Sequence, residues 1–352
     1  IVVLEDGRII MKGTPQEIFS QSNKLYKVGL EIPETLSLAK GFRELGWDIP
    51  KNVLTPDDLI ASLPIYTGED NKSSKPSQIR DDEKIISFRD VHYTYLAGTP
   101  LAKKALQGVD LEVSADCIHG IAGTNGSGKS TLLQHINGIL RPSLGSVRVD
   151  QFELEDSKTH LREVIKKVGL VFQSPENQFF EVYVGDEIAY GPKQFEMADV
   201  RKRVREAMKL VGLDFETFKD RRLETLSGGE KRKVALASTL VLDQDILLFD
   251  EPSAGMDPSA RSDLLDLFQS LNDQGKTILI ASHRLEELAE VSQEISIMRD
   301  GQNIQTGPIN ELLFDNKVIQ QTGLKPPLAI KISQALIQNG WPIKDSDTAT
   351  PK

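Results

Sequence analysis

The run Gly123-Thr-Asn-Gly-Ser-Gly-Lys129-Ser130-Thr131 constrains this chain more than any other stretch. It fits G-x-x-x-x-G-K-[ST], the pattern of a phosphate-binding loop. Its context is the one the pattern requires. The apolar run from Ile118 to Ala122 reads as a buried strand, and Ser130 to Asn137 as a helix stopped by Gly138. Gly123, Gly126 and Gly128 let the backbone curl, so that the N–H groups of Thr124, Asn125, Ser127 and their neighbours face a phosphate, aided by the helix N-terminus. Lys129 adds a point charge for the β- and γ-phosphates, and Ser130 offers a hydroxyl to Mg²⁺.

A second element completes the chemistry. Ile246-Leu-Leu-Phe249 reads as a buried strand whose end presents Asp250 and Glu251 before Pro252. Asp250 is placed to hold Mg²⁺, directly or through water, and Glu251 to polarise an attacking water as general base. Further strands are predicted from Ala105 to Val113, Val168 to Phe172 and Thr277 to Ala281. Val200, Val204, Ala207, Met208 and Val211 recur at helical spacing, with Asp199 as cap and Gly212 as stop. The alternation is that of an α/β protein.

Leu226-Ser-Gly-Gly-Glu230 opens another helix and is a second backbone anion cradle. One loop already serves one nucleotide, so the second cradle implies a second nucleotide surface. Together these motifs resemble the ATP-binding cassette (ABC) ATPase superfamily over residues 85–345. The resemblance implies an α/β fold: a P-loop NTPase (RecA-like) core with an antiparallel β subdomain and an ABC helical subdomain over about 174–240. It implies that Ser227, Gly228 and Gly229 close over ATP held by a second ABC ATPase domain. Gln173 resembles the Q-loop glutamine that contacts Mg²⁺ and the water. Asp257, in Ser253-Ala-Gly-Met-Asp257, resembles the D-loop that bridges the two sites, and His283 the switch histidine on the γ-phosphate. Tyr95 resembles the aromatic residue that stacks on adenine, with Tyr93 as rival. Asp116-Cys117 stands where the family usually has Gly-Glu, which puts the geometry of that turn in question.

Two features resemble the ATPases of energy-coupling-factor (ECF) importers for vitamins and metal ions. Phe172-Gln-Ser-Pro-Glu-Asn-Gln-Phe-Phe180, followed by Val184-Gly-Asp-Glu-Ile-Ala-Tyr-Gly-Pro192, looks like their Q-loop and coupling segment. Its Glu176, Glu181, Asp186 and Glu187 make an acidic face for basic helices of a membrane subunit. Gly323-Leu-Lys-Pro-Pro327 looks like the start of their C-terminal extension, taken here as 323–352. The implied partners are a transmembrane coupling subunit and a substrate-capture membrane subunit, on the cytoplasmic face of the membrane. The alternative is a soluble tandem ATPase of the ABC-F translation-factor kind, against which stands the short Ile65–Lys84 linker.

An ungapped internal repeat at an offset of 294 residues sets the domain organisation. Ile1-Val-Val-Leu-Glu-Asp-Gly7 lies over Ile295-Ser-Ile-Met-Arg-Asp-Gly301, and Gly46-Trp47 over Gly340-Trp341. Residues 1–62 therefore read as the end of a preceding homologous domain, 63–83 as a flexible linker, and 84–322 as the ATPase domain. A net charge of −10 argues against a nucleic-acid partner. The single cysteine, Cys117, excludes an internal disulfide framework and reads as a small apolar residue. His92, His119, His135 and His160 show no ligand-like spacing. The basic Lys231-Arg-Lys233 is read as the solvated face of the signature helix.

Overall fold

Runs of Ile, Val and Leu build the central sheet. The computed structural model describes residues 1–343 apart from Asp6, Glu31 and residues 67–82, 157–158 and 175–178. Six strands lie in the order Gln302–Pro308, Glu294–Arg299, Ile118–Ala122, Thr277–Ser282, Ile246–Asp250 and Val168–Val171. The first pairs antiparallel and all other pairings are parallel. Every residue of Ile118–Ala122, Ile246–Asp250 and Thr277–Ser282 is buried, as a parallel sheet covered on both faces demands. Because the strands run the same way, their C-terminal ends share one edge. That edge carries the phosphate loop, Gln173, Asp250, Glu251 and His283, where open α/β sheets place their ligands.

Two further layers frame that edge. An antiparallel sheet of Lys103–Ser114, Lys84–Tyr95, Leu144–Val149 and Phe152–Glu153 packs Phe88, Leu111 and Val147 against Leu132, Leu133 and Ile136 of the loop's own helix. On the other flank, helices Val184–Gln194, Val200–Leu210 and Gly228–Leu240 share a core of Ile188, Val204, Met208, Val234 and Ala237. Asp199 does stand at the N-cap of Val200–Leu210, but in a left-handed conformation (φ 55°) and without a side-chain cap bond. Asp116 explains the departure noted in the turn before the loop strand. It too is left-handed (φ 53°), a conformation glycine favours and Asp tolerates, and its N–H donates to Thr277 Oγ1 at 2.9 Å.

The repeat is also structural. Helix Glu34–Glu44 corresponds residue for residue to Leu328–Gln338. The hairpin of Val2–Glu5 and Arg8–Lys12 breaks register between Val3 and Leu4, as Glu294–Arg299 and its partner do between Ile297 and Met298. The two copies dock on each other. Ala39, Ile49, Leu59 and Leu63 share one core with Leu328, Ile332 and Leu336. Trp47 and Trp341 lie 4.8 Å apart by ring centroid, and Trp341 contacts Tyr66 at 5.2 Å. Trp341 Nε1 donates to Pro64 O at 2.8 Å. Residues 63–66 thus belong to this packed unit rather than to a flexible linker, because Leu63 and Tyr66 supply apolar surface to it.

Candidate active site

The phosphate loop is shaped by what cannot fit in it. Gly128 has φ 108°, and a Cβ there would stand 2.8 Å from Ala105 O; at Gly123 a Cβ would stand 2.5 Å from Met298 O. The helix Lys129–Ile136 starts directly from this turn, so its free N–H groups and dipole point into the cavity beyond. That cavity, of about 390 Å³, is lined by Tyr95, Lys103, Asn125, Gly126, Gly128, Lys129, Ser130, Thr131, Gln173, Asp250 and Glu251. Gly123, Thr124 and Ser127 form the inner side of the turn. The carbonyls of Gly123 and Thr124 accept from Lys129 Nζ at 2.8 and 3.2 Å, and Ser127 is buried.

Two carboxylates close the other side. Glu251 Oε1 lies 3.5 Å from Lys129 Nζ, and its Oε2 accepts from His283 Nδ1 at 2.8 Å. Glu251 holds φ 48°, a left-handed conformation rare outside glycine and typical of constrained functional positions. Asp250 is buried next door. Burial raises its carboxyl above the ordinary range, with the Glu251 charge adding to this, while a hydrogen bond with Ser130 and the Lys129 charge oppose it. Asp250 Oδ1 and Glu251 Oε1 are both buried with no hydrogen-bond partner among the described residues. Buried anionic oxygens beside a serine hydroxyl form a donor set suited to a hard divalent cation.

Tyr95 hydrogen-bonds through its hydroxyl to Thr131 Oγ1 at 3.2 Å and lines the cavity. Tyr93 instead lies half-buried, edge-on to His135 and to Tyr95, each at 4.9 Å. Lys103, which motif reading missed, faces the same space because it pairs with Tyr95 across the strands.

A profile of the ABC transporter family matches residues 106–254. The energy-coupling factor transporter ATP-binding protein EcfA2 of Symbiobacterium thermophilum is 41% identical over 259 residues, which make up 73% of this chain and 90% of that protein. The chain belongs to the ATP-binding proteins of energy-coupling-factor ABC transporters. The structure of CbiO1 from Clostridium perfringens, part of an ABC transporter complex, matches this ABC ATPase with TM-score 0.60 at 32% identity, over 72% of the chain and 100% of CbiO1. A putative ABC transporter ATP-binding protein of Caldanaerobacter subterraneus is 32% identical over 348 residues, 96% of this chain but 59% of that protein. These relatives favour transport over the translation-factor alternative. Among the described residues no helix is long and apolar enough to cross a membrane.

The remaining ATPase motifs lie away from the loop. Ser227 caps the signature helix Gly228–Leu240 in a capping box with Glu230, whose carboxyl is held below the usual range by the Ser227 amide and hydroxyl. Ser227 and Gly229 line a different cavity of about 660 Å³, together with Asp257. Asp257 itself caps helix Pro258–Asp273, accepting from Ala260 N–H at 2.9 Å. The structure therefore brings Tyr95, Lys129, Ser130, Gln173, Asp250, Glu251 and His283 together and keeps Ser227, Gly228, Gly229 and Asp257 apart from them.

Arg232 is not free on the solvated basic face: half-buried, its guanidinium donates to the carbonyls of Gln173 at 3.1 Å, Glu251 at 3.2 Å and Ala254. Lys233 lines the second cavity. His119 and His135 are buried and hydrogen-bonded structural residues.

Proposed function

We propose that residues 84–322 are the ATP-hydrolysing motor of an ECF importer for vitamins or transition-metal ions, held on the cytoplasmic face of the membrane by a transmembrane coupling subunit and a substrate-capture subunit. The observation that carries this reading is the separation just described: Lys129, Asp250, Glu251 and His283 converge on one cavity while Ser227 faces another. A site so divided needs a second ATPase domain whose signature closes over the nucleotide.

Tyr95 stacks on adenine, and the loop amides with Lys129 bind the phosphates. Ser130, Asp250 and Gln173 would hold Mg²⁺, consistent with the unpartnered Asp250 Oδ1; when bound, the ion supplies charge neutralisation on the β- and γ-phosphate oxygens. Glu251, oriented by its bond with His283, takes the proton of the attacking water. Docking on a membrane subunit is supported by an exposed patch that follows Gln173 in the sequence. Phe180 is 76% exposed and stacks on the exposed Tyr190 at 5.4 Å, with Val182 and Tyr183 nearby and Glu181 and Asp186 around them. Glu176 lies outside the described residues.

Residues 1–62 are the end of a preceding ATPase domain in a tandem protein, and 323–352 are the matching extension. The repeated hairpin bulge and helix support this. So does the apolar exposure of Val2, Leu4 and Ile9, which contrasts with the buried Ser296 and Met298 of the second copy. Glu251→Gln tests the function: ATP should still bind, while kcat falls about 10²–10⁴-fold with the loss of the general base. Turnover like that of the unsubstituted chain would count against the assignment.

A further inference from the structure

The contacts of Arg232 join three motifs that the sequence presents separately. Gln173 follows the strand Val168–Val171, Glu251 follows Ile246–Asp250, and Ala254 lies in the turn that leads to Asp257. Arg232 comes from the first turns of the signature helix, five residues after Ser227. A planar guanidinium with five N–H donors and no acceptor can serve three carbonyls at once; a lysine ammonium on its flexible stem cannot hold that spread.

We propose that Arg232 is a positioning residue that clasps the signature helix to the backbone of Glu251 and of the Q-loop, so that engagement of Ser227 with a partner's nucleotide is transmitted to Glu251 of the same domain. This deepens the ATPase reading above and rests on it. The backbone of Glu251 is held in its left-handed conformation by few bonds. Its N–H donates to Ala281 O at 2.9 Å, and its carbonyl accepts from Ala254 N–H at 3.2 Å and from Arg232 Nη2. Arg232 therefore supplies one of two donors on the peptide that aims the base. A displacement of Ser227 carries Arg232 with it through a continuous, capped helix, and the guanidinium hands that displacement to Gln173, Glu251 and Ala254 together. Both nucleotide surfaces of the domain are linked through one side chain.

The test uses the full chain with Arg232→Met, which keeps the apolar stem and removes all donors, and Arg232→Lys, which restores the charge without the fork. Hydrogen exchange without nucleotide should show the amides of 253–256 exchanging about tenfold faster in Arg232→Met, the effect of losing one charge-assisted bond. Helix Pro258–Asp273 should keep its protection. Steady-state kinetics should show kcat reduced about tenfold with KM and ATP affinity within twofold, because the lost interaction acts on the base and not on the bound nucleotide. Lysine should rescue only partly. In a Glu251→Gln background, adding Arg232→Met should cost no further turnover, since the group it positions is already gone.

Unchanged exchange at 253–256 would overturn the proposal, as would equal losses of kcat in both backgrounds or a parallel loss of ATP affinity. A chain with Arg232 intact that bound ATP but never hydrolysed it would instead overturn the ATPase roles proposed above, and the exchange measurement would still decide whether the clasp exists.

Discussion

Replacing Trp341 with alanine should release the first repeat from the second. The indole packs at a tilt against Trp47 and Tyr66 and donates to Pro64 O. Two aromatic pairs at about 0.5–1.5 kcal/mol each and one hydrogen bond at about 1 kcal/mol sum to about 3 kcal/mol. That lies at the low end of the cost of Trp→Ala in a core, about 3–5 kcal/mol, as suits a side chain that is only half-buried. The other hydrogen bonds to this tail, Asn339 Nδ2 to Leu63 O and Tyr66 N–H to Asn339 O, are adjacent and depend on the same packing. About 3 kcal/mol is a factor of roughly a hundred in the docking equilibrium. Amide exchange in helix Glu34–Glu44 should therefore accelerate by about that factor, while strands Ile118–Ala122 and Ile246–Asp250 keep their protection and ATP affinity is unchanged. Undiminished protection of Glu34–Glu44, or an accompanying loss of ATP binding, would refute the view that Trp341 holds the two repeats together apart from the nucleotide site.

Asp250→Asn should stabilise the nucleotide-free chain while removing the Mg²⁺ dependence of ATP binding. Burial raises the folded-state pKa of Asp250, so its contribution to stability is full below the ordinary Asp value near 3.8 and is lost as pH rises through the folded value. Calorimetry at pH 7 should show a Tm gain that shrinks towards pH 4, with about 2–4 °C for each kcal/mol recovered. Gly128→Ala should do the reverse. With φ 108° and Ala105 O only 2.8 Å from the new Cβ, the loop must shift, which should cost about 1–3 kcal/mol in denaturant titrations and abolish nucleotide binding.

What could be read from the residues alone was the part of the site whose chemistry demands particular residue types at set spacings. The glycine–lysine loop, the carboxylate pair at a strand end and the serine–glycine cradle are local patterns, and each names its own role. The role of Arg232 was hidden because three consecutive basic residues on a helix look solvated, whereas the reach of a guanidinium to three distant carbonyls is a tertiary fact. Lys103 was missed for a related reason: only the pairing register with Tyr95 puts it at the cavity. Asp199 is the cap its spacing predicts, but its left-handed backbone and the lack of a side-chain cap bond are features that no residue pattern reveals. Likewise, the repeat was visible as matching glycines and tryptophans, but similarity between two segments does not say that they touch.

The claim on which the account depends is that Ser227 serves a nucleotide other than the one held by Lys129. In a Glu251→Gln background, where ATP binds but is not turned over, Ser227→Arg should abolish the ATP-dependent dimer seen by light scattering. ATP affinity measured on the monomer should stay within twofold. If Ser227→Arg instead removed ATP binding from the monomer, as Lys129→Ala should, the two motifs would share one nucleotide and the account would be wrong.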